Sequence, residues 1–477
     1  MIVEAGKEDV LLPTPPPRYD QDLADSFEEM YSNIFKTNTD LTRGLVSFQD
    51  SKKIPIERWY KYREGFSSTI VKYYLAKYKI SDGKLLDPFL GGGTSVMAAS
   101  SLGMVAHGIE LLPIGHAVIN AKIQARTTNP TNIVHNLEES ISKKPWKIAN
   151  KTKLNELKIT KMAYSQDNHE KIERYLSFLK EKPQDMFQIY NIALLSILED
   201  ISFTRKDGQY LRWDARSGKT SGGFLKGVIV DFDSAIENKL KDILEDLNGK
   251  HPQLFEEDQI DYGSLEESKI FEGSCLHVMP KLEDEQYNAI FTSPPYANRY
   301  DYTRTYALEL ALLGKNEEEV KQLRQSMLSC TVENRDKDLM SINDSWASVI
   351  KFSESHPLFM SILSQLTSLD LDGKLNNSGI VRMLRNYIIE MSCVIYESYR
   401  IIRKGGYMFM VNDNVRYAGL TIPIDILLSE IASYVGFEII SIDVLPTKKG
   451  NSSQQMGVYG QDRLRKCVYV WRKNANG

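Results

Sequence analysis

A chain of 477 residues, 42% apolar and 26% charged, buries a large core and is neither a disulfide-stapled miniprotein nor a low-complexity segment. Its formal net charge of -4 does not announce a nucleic-acid binder, so any basic surface must be local. No apolar run reaches about 18 residues, and the start, MIVEAGKEDVLLPTPPPRYDQD, lacks a basic stretch followed by an apolar one, so a cytoplasmic chain with neither membrane span nor secretory export is expected.

Residues 1–58, with PTPPP at 13–17, predict an N-terminal arm that wraps the body. WYKYREGFSSTIVKYYLAKY predicts a helix after Gly65, capped by Ser67 or Ser68, with Ile70, Tyr73, Tyr74 and Tyr78 on one face. KLLDPFLGGGTSVMAASSLGMVAHGIE predicts a strand at Lys84–Leu86, a glycine-rich turn, a helix at Thr94–Leu102 and a strand at Val105–Ile109 ending at Glu110. That is one unit of an α/β fold with a doubly wound, mostly parallel sheet, and 59–120 forms its first part. The turn is short and lacks the lysine of a nucleotide-triphosphate loop.

Residues 121–268 break the alternation and read as an inserted region. HEKIERYLSFLKEKPQDMFQIYNIALLSILEDI looks helical, and the following TRKDGQYLRWDARSGKTSGG is polar and basic. The stretch 141–161 sets seven lysines against Glu156 alone, which suits a nucleic-acid surface or a solvated helix face equally. The strand pattern returns in KIFEGSCLHVMP and YNAIFTSPPY, within 269–312. A second excursion covers 313–377. In 378–477, a helix around Ile380–Ile402 leads through a Gly405-Gly406 turn into the strand GGYMFMVNDNVR; IPIDILLSEIASYVGFEIISIDVLPTK reads as helix then strand, and DRLRKCVYVWRK as a last strand. Cys275, Cys330, Cys393 and Cys467 form no CxxC pair, and His107 and His116 have no third ligand nearby in sequence, so no metal is expected.

Two stretches carry chemistry. In DPFLGGGT, Asp87 at a strand end and Gly91, Gly92 and Gly93 before a helix let the backbone approach a ligand closely, and Glu110 is spaced to accept hydrogen bonds from ribose hydroxyls. A nucleoside-containing cofactor fits this pattern, and so does a plain tight turn. In TSPPY, the Ser293 hydroxyl and the Pro294 carbonyl can both accept from one amino group, Pro295 restricts Pro294, and Tyr296 offers a ring face to a flat heterocycle. The plainer alternative is a proline-rich strand terminator with a core aromatic.

DPFLGGGT followed by TSPPY resembles the DNA amino-methyltransferases, which methylate N4 of cytosine or N6 of adenine with S-adenosylmethionine. The resemblance implies a Rossmann-like methyltransferase fold with large, partly helical insertions. It assigns Asp87, Phe89, Gly91, Gly93, Thr94 and Glu110 to the cofactor wall and Ser293, Pro294, Pro295 and Tyr296 to catalysis. The segment at Phe66 and Ser67 resembles the one that covers the methionine end. Gly273-Ser274 departs from the usual Gly-Asp, so Ser274 either replaces the carboxylate contact to the adenine or the strand does no cofactor work.

The resemblance implies double-stranded DNA as the partner, with the target base turned out of the duplex to reach such a pocket. Arg205, Lys206, Arg212, Arg216 and Lys219, with Gln209 as an adenine reader, make 121–268 the first choice for target recognition, ahead of 313–377. Arg299 and Arg304 lie just beyond the tetrad, at the pocket mouth or on ordinary surface. By the same resemblance, serine at the first tetrad position leans toward cytosine N4; adenine N6, an RNA amino-methyltransferase and a silent DNA-binding relative are the alternatives. A monomer and a separately acting restriction endonuclease complete the expectation.

Overall fold

The computed structural model describes residues 20–63, 65–207, 210–249, 264–446 and 464–475. The PTPPP stretch lies outside them, as does Gln209. The strands are β1 (Phe35–Thr37), β2 (Lys84–Asp87), β3 (Val105–Glu110), β4 (Thr204–Asp207), β5 (Tyr210–Trp213), β6 (Lys269–Glu272), β7 (Tyr287–Thr292), β8 (Ile402–Asp413), β9 (Val415–Tyr417), β10 (Leu420–Ile422), β11 (Phe437–Val444) and β12 (Lys466–Lys473). Eight of them form one sheet in the order β1-β11-β12-β8-β7-β2-β3-β6, in which only β12 runs antiparallel to its neighbours. The pairs β4–β5 and β9–β10 are separate hairpins. This is a Rossmann-like sheet with helical insertions.

The central strands read as continuous apolar runs because both faces are covered; every residue of β7 is buried. One face packs on the helices Gly379–Ile401 and Ile424–Val435, with Ala347–Ser355 and Pro357–Leu371 beyond. The other packs on Ser68–Lys77 and Thr94–Ser100. From β2 the chain winds through β3 to β6 on one side, and from β7 to β8 on the other. The order therefore reverses between β2 and β7, whose carboxyl ends carry the two motifs, and such a reversal opens a ligand crevice.

A second core lies among the helices Pro113–Thr127, Pro130–Lys143, Gln166–Lys180, Gln184–Ile201 and Phe232–Leu247, around Trp146, Tyr175 and Phe232. Pro183 caps the fourth of these and separates it from the third. The helix Pro113–Thr127 runs through residue 121, so the sheet unit passes into the helical body without a break. The region 313–377 divides between the two cores: Val320 joins the helical body, while Trp346, Val349 and Leu358 pack on the sheet. Before them in the chain, Ala24, Phe27 and Tyr31 pack on the sheet core and β1 extends the sheet edge.

The Gly405-Gly406 pair is not a turn ahead of a strand. It lies inside β8, where the register with β7 slips from Tyr287↔Ile402 to Ala289↔Tyr407. Gly405 takes φ +79, and a Cβ on Gly406 would stand 2.8 Å from the Asn288 carbonyl, so the extra residues bulge where only glycine fits. No helix among the described residues is long and apolar enough to cross a membrane.

Candidate active site

The crevice at the reversal encloses about 910 Å³ of empty space, including its open mouth. Gly91, Gly92 and Thr94 line it on one side, Glu110 and Ser274 at the next strand ends, and Ser293 and Pro295 on the other. Phe48, Tyr62, Phe66 and Phe89 supply apolar walls. Gly93 takes φ +81, and a Cβ there would lie 2.4 Å from Ile119 Cδ1, so the turn can pack on the helix below only as glycine. From that helix the buried Lys122 ammonium donates to the Gly92 carbonyl at 2.7 Å, and burial pulls its pKa down to about 8.

Asp87 is not among the lining residues; it stands one layer behind. Its carboxylate accepts from Phe89 N at 3.0 Å, Ser95 Oγ at 2.5 Å and Thr292 Oγ1 at 2.7 Å, which ties the turn to its helix and to the end of β7. Burial pushes its pKa up to about 6. Glu110 accepts from the amides of Gly91 and Leu112, both at 2.6 Å, and burial pushes its carboxyl up to about 8. Each carboxylate oxygen has a second acceptor direction. Ser67 is fully buried and caps the helix Ser68–Lys77 by accepting from Thr69 N at 3.3 Å. Ser274 lines the cavity, and its side chain makes no cap bond to the short helix that follows.

Beyond β7, Pro294 and Tyr296 are buried while Ser293 and Pro295 are half-buried. Ser293 Oγ donates to the Tyr296 hydroxyl at 3.3 Å. The Tyr417 hydroxyl donates to the Ala297 carbonyl and fixes the loop from the other side. His107 and His116 have partners of their own, the Tyr287 hydroxyl and the Glu110 carbonyl.

No family model matches the chain. It is 46% identical over 454 residues to the type II methyltransferase M.AvaI of Nostoc sp., covering 94% of this chain and 92% of the relative. It is 36% identical over 473 residues to the type II methyltransferase M.BsoBI of Geobacillus stearothermophilus, covering 94% and 91%. The type II methyltransferase M.MvaI of Kocuria varians matches at 21% over 374 residues, 73% of this chain and 74% of that one. The chain belongs to the S-adenosylmethionine-dependent DNA amino-methyltransferases of restriction–modification systems.

The methyltransferase transfers methyl groups from S-adenosylmethionine to specific sites in DNA. Its crevice fits that cofactor: the glycine cradle leaves little room for side chains, the Glu110 carboxyl group stands at the end of β3, and aromatic walls close the rest. Sequence reasoning missed Phe48, Tyr62 and Lys122. Only Lys122 left a signal, a lone cation on the apolar face of IGHAVINAKIQA.

The basic residues of the inserted region fare differently. Arg205 and Arg212 are exposed partners across the β4–β5 register; Arg212 pairs with Asp207 at 3.4 Å and rests 4.0 Å over the Phe224 ring. The alternation of β4 turns Lys206 inward, where it is buried and ion-paired with Glu309 beside Tyr60 and Tyr306; it is a core cation and not a surface contact. Arg216 clamps Asp214 at 2.7 Å, and Lys219 donates to the carbonyls of Lys158, Ile159 and Lys161. Much of the lysine-rich stretch is paired with acids: Lys143 with Glu139, Lys144 with Glu237, Lys147 with Asp233 and Lys151 with Glu170. Arg299 donates to Asn376 at 2.8 Å, and Arg304 pairs with Asp301 and Glu333. The hairpin nevertheless adjoins the crevice, because Glu199 pairs with the lining residue Arg63 and also accepts from Lys206 N at 3.1 Å.

Proposed function

We propose that the methyltransferase modifies N4 of cytosine in duplex DNA, on a base turned out of the helix, with Ser293, Pro294, Pro295 and Tyr296 as its catalytic element. The observation that carries the reading is the Thr292–Asp87 bond, which locks the tips of β7 and β2 side by side so that Ser293 and Pro295 line the same crevice as Gly91 and Glu110. When bound there, S-adenosylmethionine supplies an electrophilic methyl group. The Ser293 hydroxyl and Pro294 carbonyl accept the two N–H groups of the target amine and turn its lone pair into the crevice, and Tyr296 stacks against the base. Proline suits this position because it offers a carbonyl without a competing N–H. Catalysis is mostly positioning. Cys275 lines the crevice, but burial pushes its thiol up to about 12, which speaks against the thiolate attack used in carbon methylation.

Glu110 would receive the ribose hydroxyls, Ser274 the adenine, and Phe66 and Phe89 the apolar flanks, with Asp87, Gly93 and Ser67 holding them in place. The exposed pair Arg205 and Arg212 makes the inserted region 121–268 the favoured site of target recognition. A serine at the first tetrad position favours cytosine over adenine N6 by family resemblance. The chain is taken to act as a monomer, beside a separate endonuclease of the same specificity.

The test is to incubate the protein with methyl-labelled S-adenosylmethionine and mixed-sequence duplex DNA, digest to nucleosides and identify the labelled product. N4-methylcytosine, lost in Ser293→Ala and Tyr296→Ala variants that still bind the cofactor, is the expected outcome. Label on N6-methyladenine would overturn the choice of base and keep the site.

A further inference from the structure

The carboxyl end of β8 lies beside that of β7, and across the antiparallel ladder its Asp413 faces Lys466 of β12. The two form an ion pair of 3.5 Å, both with side chains less than one-fifth exposed, at 18% and 16%. The Lys466 ammonium stands over the Tyr296 ring, 5.6 Å from its centroid. The Asp413 amide donates to Asn412 Oδ1 at 2.9 Å, and Asn412 in turn donates to the Tyr387 hydroxyl at 3.1 Å, so the strand end is fixed. Asp413 Oδ1 is a buried oxygen with no hydrogen-bond partner among the described residues, and such an atom calls for an explanation.

Neither residue lines the cofactor crevice, and the transfer step uses neither. Cytosine and adenine present the same kind of amine and differ in what lies beyond it. Cytosine offers two acceptors in succession, N3 and O2, whereas adenine offers N1 and then a carbon-bound hydrogen. An ammonium carries three donors and no acceptor, so it suits the two-acceptor edge.

We propose that Lys466 reads the ring edge of the extruded base, donating to N3 and O2 of cytosine while Ser293 and Pro294 hold its amine. Asp413 acts through it as a positioning residue. The inference rests on Tyr296 being the platform on which the target base stacks.

The experiment uses the full chain and a duplex site identified by sequencing DNA that the protein has methylated. Initial rates are measured with cytosine, 2-thiocytosine and adenine at the target position, for the wild type, Lys466→Met and Lys466→Arg, alongside S-adenosylmethionine binding. A hydrogen bond to a charged donor predicts that the wild type loses about tenfold or more on passing from cytosine to 2-thiocytosine. Lys466→Met is expected to be slow on cytosine yet nearly indifferent to that exchange, and to show a smaller preference for cytosine over adenine, with cofactor binding unchanged. Lys466→Arg, which keeps a cationic donor, retains most of the sensitivity. Equal sensitivity in Lys466→Met and wild type overturns the proposal, as does a wild type that methylates 2-thiocytosine as fast as cytosine, an arm that needs no substitution. A wild type that methylates no cytosine in any duplex fails earlier, at the reading of the reaction itself.

Discussion

Replacing Asp87 separates two roles that a residue at a strand end can play, touching the cofactor or holding the wall that does. Asp87→Ala strands three donors: the Ser95 hydroxyl at 2.5 Å, the Thr292 hydroxyl at 2.7 Å and the Phe89 amide at 3.0 Å. At about 1 kcal/mol net for each bond, the loss is about 3 kcal/mol of folding stability. Burial already pushes this carboxyl up to about 6, so the ionised group is itself costly to bury, and its removal offsets part of the cost of the stranded donors. Asp87→Asn keeps one carbonyl acceptor and places an NH2 against hydroxyls that can rotate to accept, so it costs about 1 kcal/mol. Thr292→Val removes a single donor, and its effect should couple to Asp87→Ala by about 1 kcal/mol in a double-mutant cycle. Urea denaturation and calorimetric titration with S-adenosylmethionine, on the same preparations near neutral pH, measure both quantities. The alanine variant should bind at least tenfold more weakly because the Gly91 turn loosens, and the asparagine variant within a few fold of wild type. Normal stability in Asp87→Ala, or lost binding at full stability in Asp87→Asn, would refute the positioning role.

Lys206→Met leaves the buried Glu309 without its cation, keeping only the Tyr60 hydroxyl at 2.8 Å of the two partners, and should destabilise by about 3–5 kcal/mol, whereas Lys206→Met combined with Glu309→Gln, which removes the charge and keeps an acceptor for Tyr60, recovers much of the loss in the same denaturation assay. Arg205→Ala with Arg212→Ala should leave stability nearly unchanged and weaken DNA binding at every sequence, lowering the slope of log affinity against log salt by about 1 for each phosphate deprived of its guanidinium. Glu110 sets a pH dependence: between the ordinary 4.5 and about 8, the folded chain keeps a proton that the unfolded chain has released, so its contribution to stability declines as pH rises through that window. Glu110→Gln should flatten that part of a stability profile taken by denaturation at a series of pH values.

The unit from Lys84 to Glu110 is legible in sequence because short apolar runs alternate with a turn whose glycines are needed for their backbone, with Gly91 at φ +55 and Gly93 at φ +81. The tip at Ser293–Tyr296 is legible for a similar reason, since prolines after an apolar run end a strand and expose the next residues. Partners distant in sequence are what stay hidden. Asp87 and Thr292 are 205 residues apart, and nothing local marks their bond, so Asp87 reads as wall when it is the tie behind the wall. The lysines of 141–161 look like a phosphate surface until Asp233 and Glu237 arrive from another helix to meet Lys147 and Lys144. Lys206 looks like its neighbours Arg205 and Arg212 until the hairpin's period of two fixes which of them faces inward.

The short edge strand β1 has a consequence for how the enzyme comes to exist. Phe35 pairs with Ile442, so a segment made early waits for one made much later. The stretch that follows β1 carries Phe48, Tyr62 and Phe66 over the crevice, and it is tied to parts of the chain made at different times: β1 to the sheet edge, Arg58 and Trp59 to Asp246, and Arg63 to Glu199. During synthesis the ties to Glu199 and Asp246 become available first, and the tie at the sheet edge waits until β11 and β12 have emerged. Closing so long a loop is slow, and a nascent chain, or one cut before β11, therefore holds its cofactor wall on the helical body without the tie at the sheet edge.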